Sequence, residues 1–215
     1  MPEPLPDFRS AEFLRSHVLH TLAFYDHAGA LDPSGGFFHS FKDDGSVYDR
    51  TTRHLVSSTR FVVTQALAFR HFGGQRRQEA TRHALRFLRE AHWNPATGGY
   101  AWLLDWDGRR ARVLDATNHC YGLAFVLLAQ SHAAMAGIVE ARPQIDATFA
   151  LMEKRFWEGA HGLYADEATP GWSVLPYRGQ NANMHACEAM LAAYEATNDR
   201  SEEHTSELQS RVDIS

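Results

Sequence analysis

The sequence predicts an all-α protein in which outer and inner helices alternate around an arc. Two observations support this fold class. A short glycine motif recurs at a constant interval, because Gly36, Gly99 and Gly162 lie 63 residues apart. Each motif also separates two helix-like segments, a charged one before it and a mostly uncharged one after it. A repeated unit of this size indicates a solenoid or a toroid.

Each repeat is predicted to contain an outer helix, a glycine turn with a short extended segment, and an inner helix. The outer helices have one charged face, which indicates a solvated side, and span 11–27, 75–93 and 143–157. The inner helices are rich in small and apolar residues and span about 51–72, 116–135 and 179–197. Three such units form an open arc, since a closed ring of six would need roughly 380 residues.

The third inner helix carries a polar stripe. Asn181, His185 and Glu188 are spaced i, i+4 and i+7, so they share one helix face. Side chains of this kind either line a wet cavity or are hydrogen-bonded inside the core. Their chemistry favours the cavity.

Polar residues occupy corresponding positions in the repeats. Arg60, Tyr121 and His185 follow their glycines by 24, 22 and 23 residues, while Asn118 and Asn181 each follow by 19. These residues fall in the first turns of the inner helices, so we expect them to meet at one mouth of the toroid, with the glycine turns as its rim. Free N–H groups at helix N-termini suit ligands with hydroxyl or anionic groups. The alternative is that these residues only cap the helices.

Composition limits the function classes. The 215 residues, 44% of them hydrophobic, suit one soluble domain, and a net charge of −5 argues against nucleic acid or an anionic membrane as partner. No apolar run reaches 18 residues and the N-terminus does not resemble a signal peptide, so we predict a cytoplasmic protein. Cys120 and Cys187 have no metal-binding spacing, and no zinc motif occurs, so we expect neither metal nor cofactor.

The last sixteen residues break the repeat and the hydrophobic pattern. Residues 200–210 resemble the translation of a common sequencing-adapter oligonucleotide. We therefore expect residues 1–199 to form half of a toroidal domain and residues 200–215 to be a non-native, disordered tail. A genuine polar tail is the alternative.

Three motifs carry a resemblance to a known family. YRGQNANMHACEA at 177–189 is the most specific, followed by DATNHCYG at 115–122 and TRHLVSSTR at 52–60. Residues 11–199 resemble the N-acylglucosamine 2-epimerase superfamily, most closely its aldose–ketose isomerase branch. The resemblance implies an (α/α)6 barrel, of which this chain spans the first half.

The resemblance also implies residue roles. His185 and Arg60 are the candidate catalytic residues, with His185 near the reacting end of a sugar and Arg60 reaching its oxygens. The candidate substrate-binding residues are Tyr121, Asn181, Asn183, His119, Asn118 and Glu188. The main catalytic histidines of the family belong to later repeats. Val56 occupies a position where many relatives have a pocket-lining tryptophan, so a stacking contact is expected to be missing.

The implied reaction interconverts D-mannose, or a similar hexose, and D-fructose through a cis-enediol intermediate. A sugar 2-epimerase uses the same proton abstraction and stays open as an alternative. A glycoside hydrolase or lyase would need a carboxylate pair, but the acids near the mouth lie in turns, where Asp is common. A further alternative is that this chain is an inactive arc whose exposed apolar edges lead to aggregation or a homodimer.

Overall fold

Six α-helices form three outer–inner pairs in the computed structural model, which describes residues 5–199. The outer helices are α1 (Ala11–His27), α3 (Gln75–Phe87) and α5 (Arg142–Phe156), and the inner helices are α2 (Leu55–Phe72), α4 (Cys120–Met135) and α6 (Gln180–Thr197). A π-helical turn at Leu88–His92 extends α3, and a 3-10 turn at Val139–Ala141 precedes α5. The predicted helix order is confirmed, with boundaries that differ by a few residues.

Short strands occupy the connections between outer and inner helices. They are β1 (Ser40–Phe41), β2 (Val47–Asp49), β3 (Thr52–His54), β4 (Trp93–Asn94), β5 (Gly99–Tyr100), β6 (Leu103–Trp106), β7 (Ala111–Asp115), β8 (Asn118–His119), β9 (Trp157–Glu158), β10 (Leu163–Tyr164) and β11 (Glu167–Ala168). All pairings between them are antiparallel: β1 with β2, β4 with β5, β9 with β10, β8 with β11, and β3–β6–β7 as a three-stranded sheet. The fold class stays all-α, with these strands as a rim.

The repeat recurs in the backbone hydrogen bonds, at an interval of 64 residues between the second and third units. In the second repeat the N–H of Ala101 donates to the carbonyl of His92 at 2.7 Å, and in the third the N–H of Ala165 donates to that of Phe156 at 2.8 Å. Each bond closes a two-stranded ladder, β4–β5 or β9–β10, and the two ladders have the same register. Equivalent residues of the second and third repeats are therefore 64 positions apart, so Gly98, and not Gly99, corresponds to Gly162, and both have positive φ. The repeat is confirmed with this shift of one residue.

Helix α4 lies at the centre of the core. It packs against α2 on one side and α6 on the other, and twelve of its sixteen residues are buried. It contains no Asp, Glu, Lys or Arg. Burial on nearly all sides is what such a composition requires. The uncharged second helix of the repeat was thus correctly assigned to the inner layer.

The rim strands fix the inner helices at their N-termini. The N–H of Leu55, the first residue of α2, donates to the carbonyl of Trp102 at 2.9 Å. The N–H of Cys120, the first residue of α4, donates to the carbonyl of Asp166 at 2.8 Å. Each of these helices is tied to the glycine segment of the following repeat, so the rim sets how the polar first turns face one another.

Residues 200–215 lie outside the described residues, and so does the prediction of a disordered, non-native tail. Within residues 5–199, no helix combines the length and apolar character that a membrane crossing requires.

Candidate active site

The first turns of the three inner helices bring polar side chains to one mouth of the arc. The guanidinium of Arg60 on α2 lies 5.0 Å from the ring centre of Phe125 on α4. The imidazole of His185 on α6 lies 4.7 Å from the Phe125 ring and 5.0 Å from the ring of Tyr121. The structure therefore gathers Arg60, Tyr121 and His185 around one shared surface, as the repeat spacing predicts.

His185 is held by the next turn of its own helix. Its Nδ1 lies 2.8 Å from Oε2 of Glu188, three residues later. A carboxylate only accepts hydrogen bonds, so Nδ1 carries the proton and donates it. In the neutral ring, Nε2 then has a free lone pair. Glu188 thus orients His185 and makes its Nε2 a hydrogen-bond acceptor.

The rim adds an aromatic wall beside this cluster. Trp102, which follows β5, lies 3.9 Å from the ring of His119 and 4.4 Å from that of His54. His119 also pairs with Glu167 across the β8–β11 ladder, with Nδ1 and Oε1 3.5 Å apart. Burial lowers the pKa of His119, while Glu167 acts in the opposite direction.

Val56 lies in the core at 6% exposure, so its side chain does not line the mouth. The aromatic surface comes from Trp102 instead, which lies on the rim of the next repeat. The expectation that a stacking contact is missing concerned the position of Val56 alone, and it stays a prediction. Tyr121 completes the wall at 6.3 Å from Trp102.

The asparagines of the motifs separate into two groups. Asn181 is exposed in the first turn of α6. Asn183 uses its side chain on β10, accepting from the N–H of Tyr164 at 2.8 Å and donating to its carbonyl at 3.0 Å. Asn118 is 4% exposed and donates to the carbonyl of Thr169 at 2.9 Å. The interactions of Asn118 and Asn183 hold the rim, so both have a structural role, and their contact with substrate stays a prediction.

A cluster of polar side chains lies between the rim strands and the start of α2. The ring of His92 is fully buried, and its Nε2 lies 3.0 Å from Oγ of Ser58, which is also 3.4 Å from Nε2 of His39. Burial lowers the pKa of His39 to about 3 and that of His92 to about 4. Next to them, Arg53 and Asp32 form a buried ion pair at 2.6 Å.

Three residues of the mouth were not predicted from the sequence: His54, Trp102 and Phe125. His54 lies inside the TRHLVSSTR motif, and Trp102 belongs to the second glycine motif, so both stood in segments already singled out. Phe125 looks like an ordinary core residue of α4. Glu167 was not predicted either, because its contact with His119 depends on strand pairing. In residues 5–199, no three His, Cys, Asp or Glu side chains form a cluster that could hold a metal ion.

Comparisons with known proteins agree with this architecture. Residues 36–211 match the family model of N-acylglucosamine 2-epimerase (GlcNAc 2-epimerase). The match continues into the segment that we predicted to be non-native, and that prediction stays untested.

The chain is similar to a D-mannose isomerase from Marinomonas mediterranea, with 52% identity over 89% of this chain and 48% of the relative. It is also similar to a cellobiose 2-epimerase from Eubacterium cellulosolvens, with 26% identity over 77% of this chain and 42% of the relative. A crystal structure of a D-mannose isomerase superposes with a TM-score of 0.91 and 49% identity, over 97% of this chain and 52% of that one.

The chain thus spans about half the length of the curated relatives it matches. Its three helix pairs agree with three of the six in an (α/α)6 barrel, the architecture of its structural neighbours. The matching family model covers most of the chain. The protein therefore belongs to the N-acylglucosamine 2-epimerase family.

Proposed function

We propose that this chain forms the sugar-binding half of an aldose–ketose isomerase that interconverts D-mannose, or a similar hexose, and D-fructose. One observation carries the proposal: Arg60, Tyr121 and the His185–Glu188 pair meet at a single mouth. The 52% identity to a protein named D-mannose isomerase supports this choice of substrate.

The chemistry needs a base, an acid and a site for negative charge. The sugar ring opens, a base removes the proton from C2, and the resulting cis-enediol takes a proton at C1. Negative charge develops on an oxygen at C1 or C2 during this transfer. The permanent positive charge of Arg60 suits that position, because a donor already in place stabilises the charge without reorganisation.

His185 and Tyr121 are assigned to positioning the sugar at its reacting end. The Nε2 lone pair of His185 accepts a hydrogen bond from a hydroxyl, and the phenol of Tyr121 contacts a neighbouring oxygen. Asn181 and His119 contact further hydroxyls at the edge of the mouth. The base that removes the C2 proton is assigned to the half of the relatives' length that this chain does not span. We keep the predictions that the reaction is cytoplasmic and needs no metal or cofactor.

A hybrid enzyme tests this function. Residues 5–199 would replace the matching half of the Marinomonas mediterranea D-mannose isomerase, and the products formed from D-mannose would be separated by chromatography. We expect D-fructose as the product. In D2O, the molecules whose transferred proton exchanges with solvent should carry one deuterium at C1. D-Glucose as the product would instead support the 2-epimerase alternative, which the relatives named cellobiose 2-epimerase suggest. A folded hybrid that forms neither sugar would overturn the proposal.

We also expect the 215-residue chain alone to be inactive. The proposed site places the proton-transferring base outside it. An assay of the purified chain beside the hybrid and the unmodified Marinomonas enzyme measures this directly. Ketose formation by the chain alone, above the level of an Arg60→Met variant, would contradict the expectation.

A further inference from the structure

His54 lies at the mouth of the site, where β3 meets α2. Its ring packs edge-on against Trp102, with the ring centres 4.4 Å apart, and it is half-buried. Trp102 in turn contacts His119, so His54 extends the aromatic wall along the rim. Neither the family resemblance nor the proposed function gives this residue a role.

The hydrogen bonds of His54 fix the position of its proton. The backbone N–H of Val56 donates to Nδ1 of His54 at 3.2 Å, in the manner of an N-cap. A backbone N–H can only donate, so this Nδ1 has no proton. Burial lowers the pKa of His54 most, and the nearby His119 and Arg60 lower it further. The ring is therefore neutral at pH 7. Its proton must lie on Nε2.

The Nε2–H of His54 is available to a ligand. Among residues 5–199 no hydrogen bond satisfies it, and the side chain is not fully buried. His185 has the opposite polarity, because Glu188 holds the proton of that ring on Nδ1 and leaves Nε2 as an acceptor. The mouth therefore presents an imidazole donor at His54 and an imidazole acceptor at His185.

We infer that His54 is a further substrate-contacting residue, whose Nε2–H donates a hydrogen bond to an oxygen of the bound sugar. The inference rests on the proposed function. A sugar hydroxyl can both donate and accept, so a donor on one side and an acceptor on the other select one orientation of the substrate. Trp102 beside His54 offers an apolar surface to the C–H face of the same sugar.

A buried chain of hydrogen bonds holds His54 in place. The backbone N–H of His54 donates to Nδ1 of His39 at 3.1 Å, which leaves the His39 proton on Nε2. That proton points to Ser58 Oγ at 3.4 Å, the Ser58 hydroxyl donates to Nε2 of His92 at 3.0 Å, and Nδ1–H of His92 donates to the carbonyl of Ala101 at 2.9 Å. Donation in this order is the only one that gives each donor in the series an acceptor.

This series of hydrogen bonds joins the two rim segments that carry the aromatic wall. One end is the backbone of His54, and the other is Ala101, the residue before Trp102. Their hydrogen bonds reach the backbone on both sides of the wall and not the sugar itself. We therefore assign a positioning role to His39, Ser58 and His92. A polar chain that is fully satisfied gives a fixed geometry in a buried region.

NMR of the imidazole nitrogens in the 215-residue chain tests the proton positions. At pH 7 we expect His54 and His39 as Nε2–H tautomers, and His92 and His185 as Nδ1–H tautomers. Free histidine does not produce such a mixture of Nε2–H and Nδ1–H tautomers. As a control, Ser58→Ala should shift the signals of His39 and His92 more than those of His185. Protonated Nδ1 on His54, or unprotonated Nδ1 on His92, would overturn the assignment.

Kinetics of the hybrid enzyme test the contact with substrate. His54→Asn keeps an oxygen near the Nδ1 position for the cap and removes the donor, whereas His54→Gln places an amide N–H near the Nε2 position. We expect His54→Asn to raise KM for D-mannose about five- to tenfold, as for one lost hydrogen bond, and His54→Gln to recover most of the loss. Equal KM and kcat for His54→Asn and the parent hybrid would overturn the inference.

The two proposals fail in different ways. If the hybrid isomerises D-mannose but His54→Asn changes nothing, only the role of His54 is wrong. If the folded hybrid has no activity on D-mannose, the proposed function fails, and with it the sugar contact of His54. Denaturant unfolding of both His54 variants separates a lost contact from a lost fold.

Discussion

Asn181 and Asn183 are two residues apart in one motif, yet they have different surroundings. The amide of Asn183 bonds both backbone groups of Tyr164, while Asn181 is exposed in the first turn of α6. Sequence spacing cannot separate them, because both are polar residues near a helix start. Their difference arises from β10, which lies beside only one of them.

This difference predicts opposite results for two alanine variants. Asn183→Ala should lower the free energy of unfolding by about 1–3 kcal/mol, because it leaves the N–H and carbonyl of Tyr164 without their partner. Asn181→Ala should change it by less than about 0.5 kcal/mol, as is usual for an exposed site. Denaturant unfolding of the two chains measures both values. Equal destabilisation would contradict the structural role of Asn183.

Arg60 lies over Phe125 and carries the charge in the proposed site. In the hybrid enzyme, Arg60→Met should lower kcat for D-mannose about 100-fold or more, as is typical when a charge-stabilising donor is removed. Arg60→Lys should recover part of that loss, because it keeps the charge but not the planar group over the ring. Arg76→Lys, on the exposed start of α3, is the control. If Arg60→Met retained full kcat, its assigned role would be wrong.

At the scale of elements, the rim depends on close packing between neighbouring glycine segments. A Cβ built on Gly99 would lie 2.2 Å from Oδ1 of Asn118, the residue that bonds the carbonyl of Thr169. The glycine of the second repeat is therefore required by the asparagine that lies 19 residues later. The contact does not recur in the third repeat, because a Cβ built on Gly162 would meet nothing within 4 Å.

Gly99→Ala should therefore destabilise the chain. We expect a loss of about 1–3 kcal/mol, the range for overpacking a well-packed site. Gly159→Ala is the matched control, since its Cβ would meet only Nε1 of Trp157 at an ordinary 3.6 Å. Thermal unfolding of both variants measures the difference. Because Gly99 and Asn118 are in contact, Gly99→Ala with Asn118→Ala should cost less than the sum of the two single changes.

At the scale of the whole molecule, the buried histidines link stability to pH. The pKa values of His39 and His92 lie at about 3 and about 4 in the fold, below the 6.5 of a free side chain. The unfolded chain therefore binds more protons than the folded chain between these values and 6.5. Stability is then full above about pH 6.5 and falls as the pH is lowered, by up to about 1.4 kcal/mol per pH unit for each histidine.

Denaturant midpoints at pH 7 and pH 5 test this dependence. The denaturant midpoint should be lower at pH 5 than at pH 7. His39→Asn should make this difference smaller, even if it lowers the midpoint at both pH values. His71→Asn, which removes an exposed histidine of α2, should leave the decrease unchanged. A midpoint that rises on going to pH 5 would show that the buried rings do not control acid stability.

Apolar side chains also stay exposed on two helices of the arc. On α6, Met184 and Leu191 are each about half exposed, and on α1 the same is true of Leu14 and Val18. Exposed apolar side chains that share one helix face, spaced i and i+7 on α6 and i and i+4 on α1, favour association. We expect the chain to self-associate, with a dimer as the simplest product. Sedimentation velocity should show a mass that rises with concentration, and Met184→Gln with Leu191→Gln should reduce it. A monomer at all concentrations would exclude this expectation.

The sequence by itself determined the repeat, the helix pairs and the three first turns that meet at the mouth. A repeated turn is a local property that every copy expresses, so the recurrence of glycine motifs was sufficient, although the equivalent residues of the second and third repeats are 64 and not 63 positions apart. Helix periodicity likewise placed His185 and Glu188 on one face, where they form a hydrogen bond.

Only the tertiary structure decided which polar residues are free for a ligand. Asn118 and Asn183 are used by neighbouring strands, while Trp102 and His54 reach the mouth from segments outside the inner helices. The physical reason is that the deciding hydrogen bonds join residues far apart in the chain, 19 positions within the third repeat for Asn183 and 51 positions between repeats for Asn118. Such bonds depend on how the rim strands pair and lie against the helices, and residue spacing alone does not contain that information.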